Sequence, residues 1–190
     1  MAEQAFLDLV FDSQRVFRAV LAALSEPGRI LSIDPGCVPP DPLDPVAAAI
    51  VLTLCDGDTP VWLAPDLQAA ASFVRFHTGA PVVTEPQDAM FVVAGAAQRP
   101  PLAALKGGTP EYPDGAATLV LSVEALDGGV GWSLSGPGIA GSRAFLPRGV
   151  DKGFAGEWRA NRAGFPLGVD VLFAARSQVA GLPRSTTLEA

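Results

Sequence analysis

The sequence is poor in the residues that most often bind metals or carry catalysis. Its 190 residues include one histidine, His77, and two cysteines, Cys37 and Cys55. Four-coordinate zinc sites draw mainly on these residue types, so the chain lacks the ligands for one and we predict no metal site. Two cysteines also exclude a disulfide-rich scaffold, and a reducing cytoplasm is the expected compartment.

Lysine is equally scarce, because only Lys106 and Lys152 are present. A pyridoxal phosphate enzyme needs a lysine for its Schiff base. Lys106 precedes two glycines in a predicted loop and Lys152 lies in a basic stretch, so neither has the surroundings of a buried, activated amine. The sequence also lacks a Walker phosphate loop and a nucleophile elbow. We therefore predict no resident cofactor.

Long apolar runs are missing as well. The longest strongly apolar stretch, residues 46–55, has ten residues, whereas a membrane-spanning helix needs about twenty. Glu3 and Asp8 lie where a secretory signal would carry basic residues. We expect neither a membrane anchor nor export by that route.

Basic residues are outnumbered, and the formal net charge is -7. Residues 1–140 hold sixteen acidic and six basic residues, whereas residues 141–190 hold four acidic and seven basic residues. An acidic surface repels nucleic acid, so we predict no duplex binding. A small anionic ligand near the basic final third stays open, the alternative being that these arginines form a solvated face.

The apolar pattern predicts helices that alternate with short strands. The predicted helices are 3–25, 46–55 (with Pro45 in its first turn), 66–77 and 151–163, and the predicted strands are 60–63, 89–94, 118–123, 131–135 and 169–174. A proline-rich loop is predicted at residues 34–45, and no linker or repeat divides the chain. We predict one α/β domain over residues 1–190, with three layers and a mixed sheet covered on both faces.

Two local features have competing interpretations. Residues 136–141 read GPGIAG and match the dinucleotide pattern G-x-G-x-x-G, but Pro147 leaves too short a helix after Gly141, so we prefer a tight turn to nucleotide binding. His77 is the only imidazole and hence a candidate general base. It also falls in the last turn of a predicted helix, where stabilising the helix dipole is the role we prefer.

Six motifs resemble, in order, the H subunits of the bacterial carbon–phosphorus lyase system, the PhnH family. They are FRAV and SEPGR within 17–29, DTPVWL at 58–63, FHTGAP at 76–81, LSGPGI at 134–139, FPLGVD at 165–170 and LPRSTT at 182–187. The resemblance covers nearly the full length. That family commonly has threonine where Ser185 stands, and the hydroxyl is retained.

The resemblance implies a fold related to the large domain of pyridoxal-phosphate transferases, without the cofactor or its lysine. It implies a homodimer that joins the G, I and J subunits. With the G, I and L subunits, the family is required to form α-D-ribose 1-methylphosphonate 5-triphosphate from ATP and methylphosphonate. We expect an enzyme subunit that is not catalytic alone. The alternative is a free-standing anion-binding enzyme or sensor, which the poverty of catalytic groups disfavours.

Four residues are candidates for an anion site, and no catalytic residue is assigned. Arg143 and Arg184 adjoin motifs rich in glycine or hydroxyl groups in the basic final third, and Arg29 and His77 are weaker candidates. Arginine binds phosphate or phosphonate oxygens through paired N–H groups. The alternative for Arg184 is an ion pair with an acid such as Asp170, which would hold the C-terminal segment in place.

Overall fold

The computed structural model describes residues 3–129 and 131–190. Helices and strands alternate along this part of the chain. They are α1 Leu9–Ser25, β1 Leu31–Ser32, α2 Pro45–Leu54, β2 Val61–Leu63, α3 Ala71–Thr78, β3 Phe91–Gly95, β4 Thr118–Ser122, β5 Trp132–Ser135, β6 Arg143–Phe145, α4 Phe154–Ala163, β7 Asp170–Ala175, β8 Gln178–Leu182 and β9 Thr187–Glu189. None of the helices in the described ranges is long and apolar enough to cross a membrane.

Six strands form the main sheet, in the order β1-β8-β7-β4-β3-β2. The strands β2, β3, β4 and β7 run parallel, and β8 and β1 continue the sheet antiparallel. The register places Val93 beside Val120 and Val120 beside Leu172. The predicted α/β fold with a mixed sheet is confirmed.

Alternating side chains of the main sheet supply two separate cores. Val93, Val120 and Leu172 belong to the core shared with α1, α2 and α3. Leu119 and Phe173 belong to the opposite core, which α4 and a small antiparallel sheet of order β6-β5-β9 cover. Because successive side chains point to opposite faces and both faces are covered, most residues of these parallel strands are buried. This explains their continuous apolar sequence.

Local capping explains where α2 begins and where α3 ends. Asp44 accepts hydrogen bonds from the Val46 and Ala47 amides, and Pro45 follows in the first turn. Gly79 ends α3 with a φ of 74°, a left-handed conformation that favours glycine. Both helix ends match the sequence prediction to within one residue.

Other predicted boundaries are wrong. Helix α1 begins at Leu9 and not at residue 3, because the Asp8 carboxylate caps the Val10 and Phe11 amides. The predicted helix 66–77 is a 3₁₀ turn over Pro65–Ala70 followed by α3. The strand predicted at 131–135, expected near an edge, is the central strand of the small sheet.

Candidate functional site

The predicted site residue Arg143 caps the end of α1. Its Nη1 atom donates to the carbonyl oxygens of Glu26, at 3.0 Å, and Pro27, at 2.7 Å. These carbonyls lie just beyond the last helical turn, where the helix dipole favours a cation. The structure therefore gives this guanidinium a partner inside the protein.

Arg29 belongs to the same corner. Its guanidinium forms an ion pair with the Glu26 carboxylate, and both side chains are about half exposed. Two of the four predicted site residues thus meet at Glu26, with Arg143 on its carbonyl and Arg29 on its carboxylate. This ion pair neutralises the positive charge of Arg29, and an anionic ligand would need that charge for binding.

The glycine-rich segment 136–141 packs against this corner and connects β5 to β6. Gly138 has a φ of 82°, and a Cβ there would collide with the Ser25 carbonyl oxygen. No helix begins within these glycines, so the dinucleotide alternative is wrong and the preferred tight turn is confirmed. The SEPGR and LSGPGI motifs are therefore two sides of one packing contact.

Arg184 forms the ion pair with Asp170 that was the alternative to a ligand role. Its Nε donates to both Asp170 carboxylate oxygens at 3.1 Å, its backbone amide donates to Oδ1 at 2.7 Å, and its Nη1 donates to the Pro113 carbonyl at 2.7 Å. Both side chains are largely buried, at 14% and 21% exposed. This pair ties the end of β8 to the start of β7.

The motif that follows Arg184 is held by α4. The Trp158 indole donates to the Thr186 carbonyl at 2.9 Å, and the Arg162 Nε donates to the Ser185 carbonyl at 3.1 Å. Trp158 is fully buried. The LPRSTT segment thus has a defined structural task, which is to join α4, β7 and β9.

His77 is exposed in the last turn of α3, as predicted for a residue at the negative end of a helix. Its ring contacts Phe73 and Phe76 edge-on, with centroids 4.7 and 4.9 Å away. Within the described ranges it shares no hydrogen bond or ion pair with the candidate arginines. The structure does not bring the four candidates into one site.

An ionic cluster around a buried arginine escaped the sequence analysis. Arg99, with a side chain only 5% exposed, donates to both Glu157 oxygens, at 2.8 and 2.9 Å, and to Asp151 at 2.6 Å. Its guanidinium also lies over the Phe154 ring, 5.1 Å from the centroid. Hydrogen bonding from Arg99 holds the pKa of Glu157 below its usual value, and burial only partly opposes this.

This cluster fastens the loop after β3 to α4. The Leu102 amide donates to Glu157 at 2.9 Å, which completes the bonding of that carboxylate. A cavity of about 340 Å³ lies beside it, lined mainly by small and apolar residues such as Leu105, Gly107 and Ala160. The partners of Arg99 are 52 and 58 residues away, so no local pattern could have indicated the cluster.

A second cavity, of about 590 Å³, opens at the carboxyl ends of β3 and β4. Gly95 and Ser122, the last residues of these strands, both line it, together with the start of α2. The helix terminus that commonly binds a phosphate is already capped there by the Asp44 carboxylate. The only sequence feature that indicated this cavity was the end of the predicted buried strands, where open α/β sheets bind their ligands.

The cysteines and lysines supply no reactive group. Burial raises the pKa of Cys37 and of Cys55 to about 12, so neither forms a nucleophilic thiolate near neutral pH. Lys106 and Lys152 are both exposed, which does not fit the buried lysine of a pyridoxal phosphate site. The described residues contain no cluster of three or more potential metal ligands.

Comparisons with known proteins agree with the motif resemblance. A family model described as "Bacterial phosphonate metabolism protein (PhnH)" matches residues 4–189. The chain is 44% identical over 190 residues to "Alpha-D-ribose 1-methylphosphonate 5-triphosphate synthase subunit PhnH" of Rhizobium meliloti (strain 1021), which covers 97% of this chain and 94% of that protein. It is 31% identical over 176 residues to "Putative C-P lyase subunit protein HtxG" of Stutzerimonas stutzeri, covering 91% and 84%.

Proposed function

The chain belongs to the PhnH family of bacterial phosphonate metabolism proteins, and from this premise we propose that it is a subunit of an α-D-ribose 1-methylphosphonate 5-triphosphate synthase. The match to the named synthase subunit carries the proposal, since it covers 97% of this chain and 94% of that protein. The protein acts in the carbon–phosphorus lyase system for organic phosphonate breakdown.

The placement of the family-like motifs supports a subunit that contributes structure more than chemistry. Arg143 and Arg184 are the two leading candidates for ligand binding at those motifs. Their guanidinium groups instead donate hydrogen bonds within the protein, to the Pro27 carbonyl and the Asp170 carboxylate. These hydrogen bonds hold the motif segments in a fixed conformation at the protein surface. Such a surface suits assembly with other proteins, and the chain on its own carries out no catalytic step.

We include in the proposal a fold related to the large domain of pyridoxal-phosphate transferases, formed by residues 1–190 as one domain. The run of parallel strands within a mixed sheet supports this relation. Lys106 and Lys152 are exposed, so the proposal includes no such cofactor. The free, buried thiols of Cys37 and Cys55 suit a cytoplasmic protein.

The outward face of α1 supports an assembly role. We define this face by Val10, Phe11, Phe17 and Leu21 of the helix together with Leu7 just before it, all of them more than half exposed. They lie on one side of the helix, opposite the buried Val16 and Val20, and the exposed polar residues Gln14 and Arg18 lie on the same side. Together the apolar side chains expose on the order of several hundred Å², against about 800 Å² per partner in a standard interface.

We propose that this face forms a homodimer and that the dimer joins the G, I and J subunits, working with the L subunit. An apolar stripe on a helix suits a two-fold contact, because the same residues meet from both copies. The proposal includes a phosphate- or phosphonate-bearing ligand.

Co-expression tests the proposal. The tagged chain should co-purify with the G, I and J proteins, and a strain lacking the chain should fail to grow on methylphosphonate until it is restored. Normal growth of that strain, or a chain that never associates with the other subunits, would favour the free-standing enzyme or sensor instead.

A further inference from the structure

The cavity at the carboxyl ends of β3 and β4 has the position and size of a small-molecule site. Its volume of about 590 Å³ lies within the usual range for such sites. Gly95 pairs with Ser122 at its floor, and a Cβ on Gly95 would meet no atom within 4 Å. Open α/β sheets bind ligands outside the carboxyl ends of their strands, where the loops leave a crevice.

The walls of this cavity accept hydrogen bonds and carry no positive charge. Asp41, Asp44, Asp66 and Glu124 line it, and no lysine or arginine does among the residues described. The Ser122 Oγ is buried and has no hydrogen-bond partner within the described chain. Buried hydroxyls rarely lack a partner, but this one is closed off from the open cavity, so the carboxylates are the groups that a ligand reaches. The complementary ligand surface bears hydroxyl groups and no negative charge.

A smaller cavity, of about 280 Å³, adjoins the first at Glu124, which lines both. Arg148 and Arg176 lie in its wall. In contrast to Arg29 and Arg184, neither forms an ion pair within residues 3–129 and 131–190. Guanidinium groups bind phosphate through paired N–H donors. Within the described residues, the N–H donors of Arg148 and Arg176 are not engaged by an ion pair and can therefore bind a phosphate.

The backbone holds both arginines in place. Arg176 lies in the two-residue turn between β7 and β8 with a φ of 54°, a left-handed conformation that bulky side chains rarely adopt. Its amide donates to the Asp44 carboxylate at 3.1 Å, which ties the turn to the wall of the first cavity. The Arg148 carbonyl accepts from the Glu124 amide at 3.2 Å. Strain of this kind is common at functional sites.

We propose that these two adjoining cavities form a binding site for a sugar phosphate. The sugar hydroxyls bond to the carboxylates of the larger cavity, and the phosphate lies between Arg148 and Arg176. The inference deepens the proposed function and rests on it for the choice of ribose, since the named relative is a subunit of a synthase whose product is a ribose 5-triphosphate. The anion is thus assigned to arginines other than Arg143, Arg184 and Arg29.

Calorimetric titration of the purified full chain with ribose 5-phosphate tests the arginines. We expect Arg148→Ala and Arg176→Ala each to weaken binding about tenfold. The matched control is Arg159→Ala, because Arg159 is an exposed arginine of α4 that lines neither cavity, and it should bind as the wild type does. Ribose without the phosphate should bind equally to all four proteins.

A cavity-filling variant tests the sugar part. Gly95→Val places a β-branched side chain in the larger cavity at a backbone conformation that any residue adopts, and Gly57→Val adds the same side chain to an exposed turn with open space around it. Gly95→Val should bind ribose 5-phosphate no better than inorganic phosphate, whereas Gly57→Val should keep the wild-type preference for the sugar phosphate.

Three results would overturn the inference: no binding of ribose 5-phosphate to the wild type at millimolar concentration, unchanged binding by both arginine variants, or an unchanged sugar preference in Gly95→Val. The same variants should still co-purify with the G, I and J subunits. Loss of the sugar-phosphate site with intact assembly would refute only this inference, and failed assembly of the wild type would refute the proposed function.

Discussion

The Arg143 Nη1 atom lies 2.7 Å from the carbonyl oxygen of Pro27, so a residue of β6 closes the end of α1 from 116 positions away in the sequence. The same nitrogen reaches the Glu26 carbonyl. One charged side chain therefore joins the small sheet, which covers one face of the main sheet, to a helix that covers the other.

We predict that Arg143→Ala lowers the free energy of unfolding by about 2 kcal/mol, since it removes two hydrogen bonds from a charged donor and leaves the Pro27 carbonyl without its partner. Urea denaturation measures the change. Arg159→Ala is the control, with an expected loss below about 0.5 kcal/mol. Equal stability of the two variants would mean that the cap contributes nothing.

The bonds of Arg184 lead to a prediction that separates folding from binding. Because its donors are directed to Asp170 and Pro113, Arg184→Ala should destabilise the fold by about 2–3 kcal/mol. The variant that stays folded should bind ribose 5-phosphate as the wild type does. Weaker binding in a fully folded Arg184→Ala protein would restore Arg184 as a ligand residue.

The Arg99 cluster predicts a pH dependence of stability. Arg99 lowers the pKa of Glu157 in the folded state, so this carboxylate stabilises the fold above its unfolded pKa of about 4.5. That contribution is lost as the pH falls through the lower folded pKa. Glu157→Gln should therefore be less stable than the wild type at pH 7, by about 2 kcal/mol, and the difference should shrink below pH 4.5.

Thermal unfolding of both proteins between pH 3 and pH 7 measures this difference. Asp56→Asn is a useful comparison, because Asp56 also has a lowered pKa, caused first by its hydrogen bond from Thr59, but lies outside the cluster. A wild-type advantage over Glu157→Gln that stayed constant down to pH 3 would contradict the assignment.

The outward face of α1 predicts the oligomeric state. Phe17→Asp with Leu21→Asp should convert a dimer into a monomer without lowering the melting temperature of the fold, because both side chains are more than half exposed. Sedimentation equilibrium gives the mass. Tyr112→Ser changes an exposed aromatic residue elsewhere and should leave the dimer intact. A wild type that is monomeric at micromolar concentration would exclude the dimer.

Exposure of both lysines predicts that added pyridoxal phosphate forms no stable Schiff base. Absorbance after mixing, followed by borohydride reduction and mass spectrometry, is the measurement. A stoichiometric adduct on Lys106 or Lys152 would show that one of them lies in a cofactor site after all.

Features set by neighbouring residues could be predicted from the sequence. Asp44 and Pro45 determine the start of α2, and Gly79 determines the end of α3, because capping acts within a turn of helix. The apolar runs around Val93 and Val120 indicated parallel strands buried on both faces, since such strands need no polar side. The motifs were enough to indicate the family.

Short strands and long-range bonds were decided by the tertiary structure alone. The strands β1, β6 and β9 have two or three residues each and exist only because a neighbouring strand pairs with them. The sequence was compatible with two roles for Arg184, ligand binding or an ion pair with Asp170. The ion pair forms because β7 and β8 lie side by side in the folded chain. Arg148 and Arg176 line one cavity for the same reason, because the packing of loops at one sheet edge depends on the whole chain.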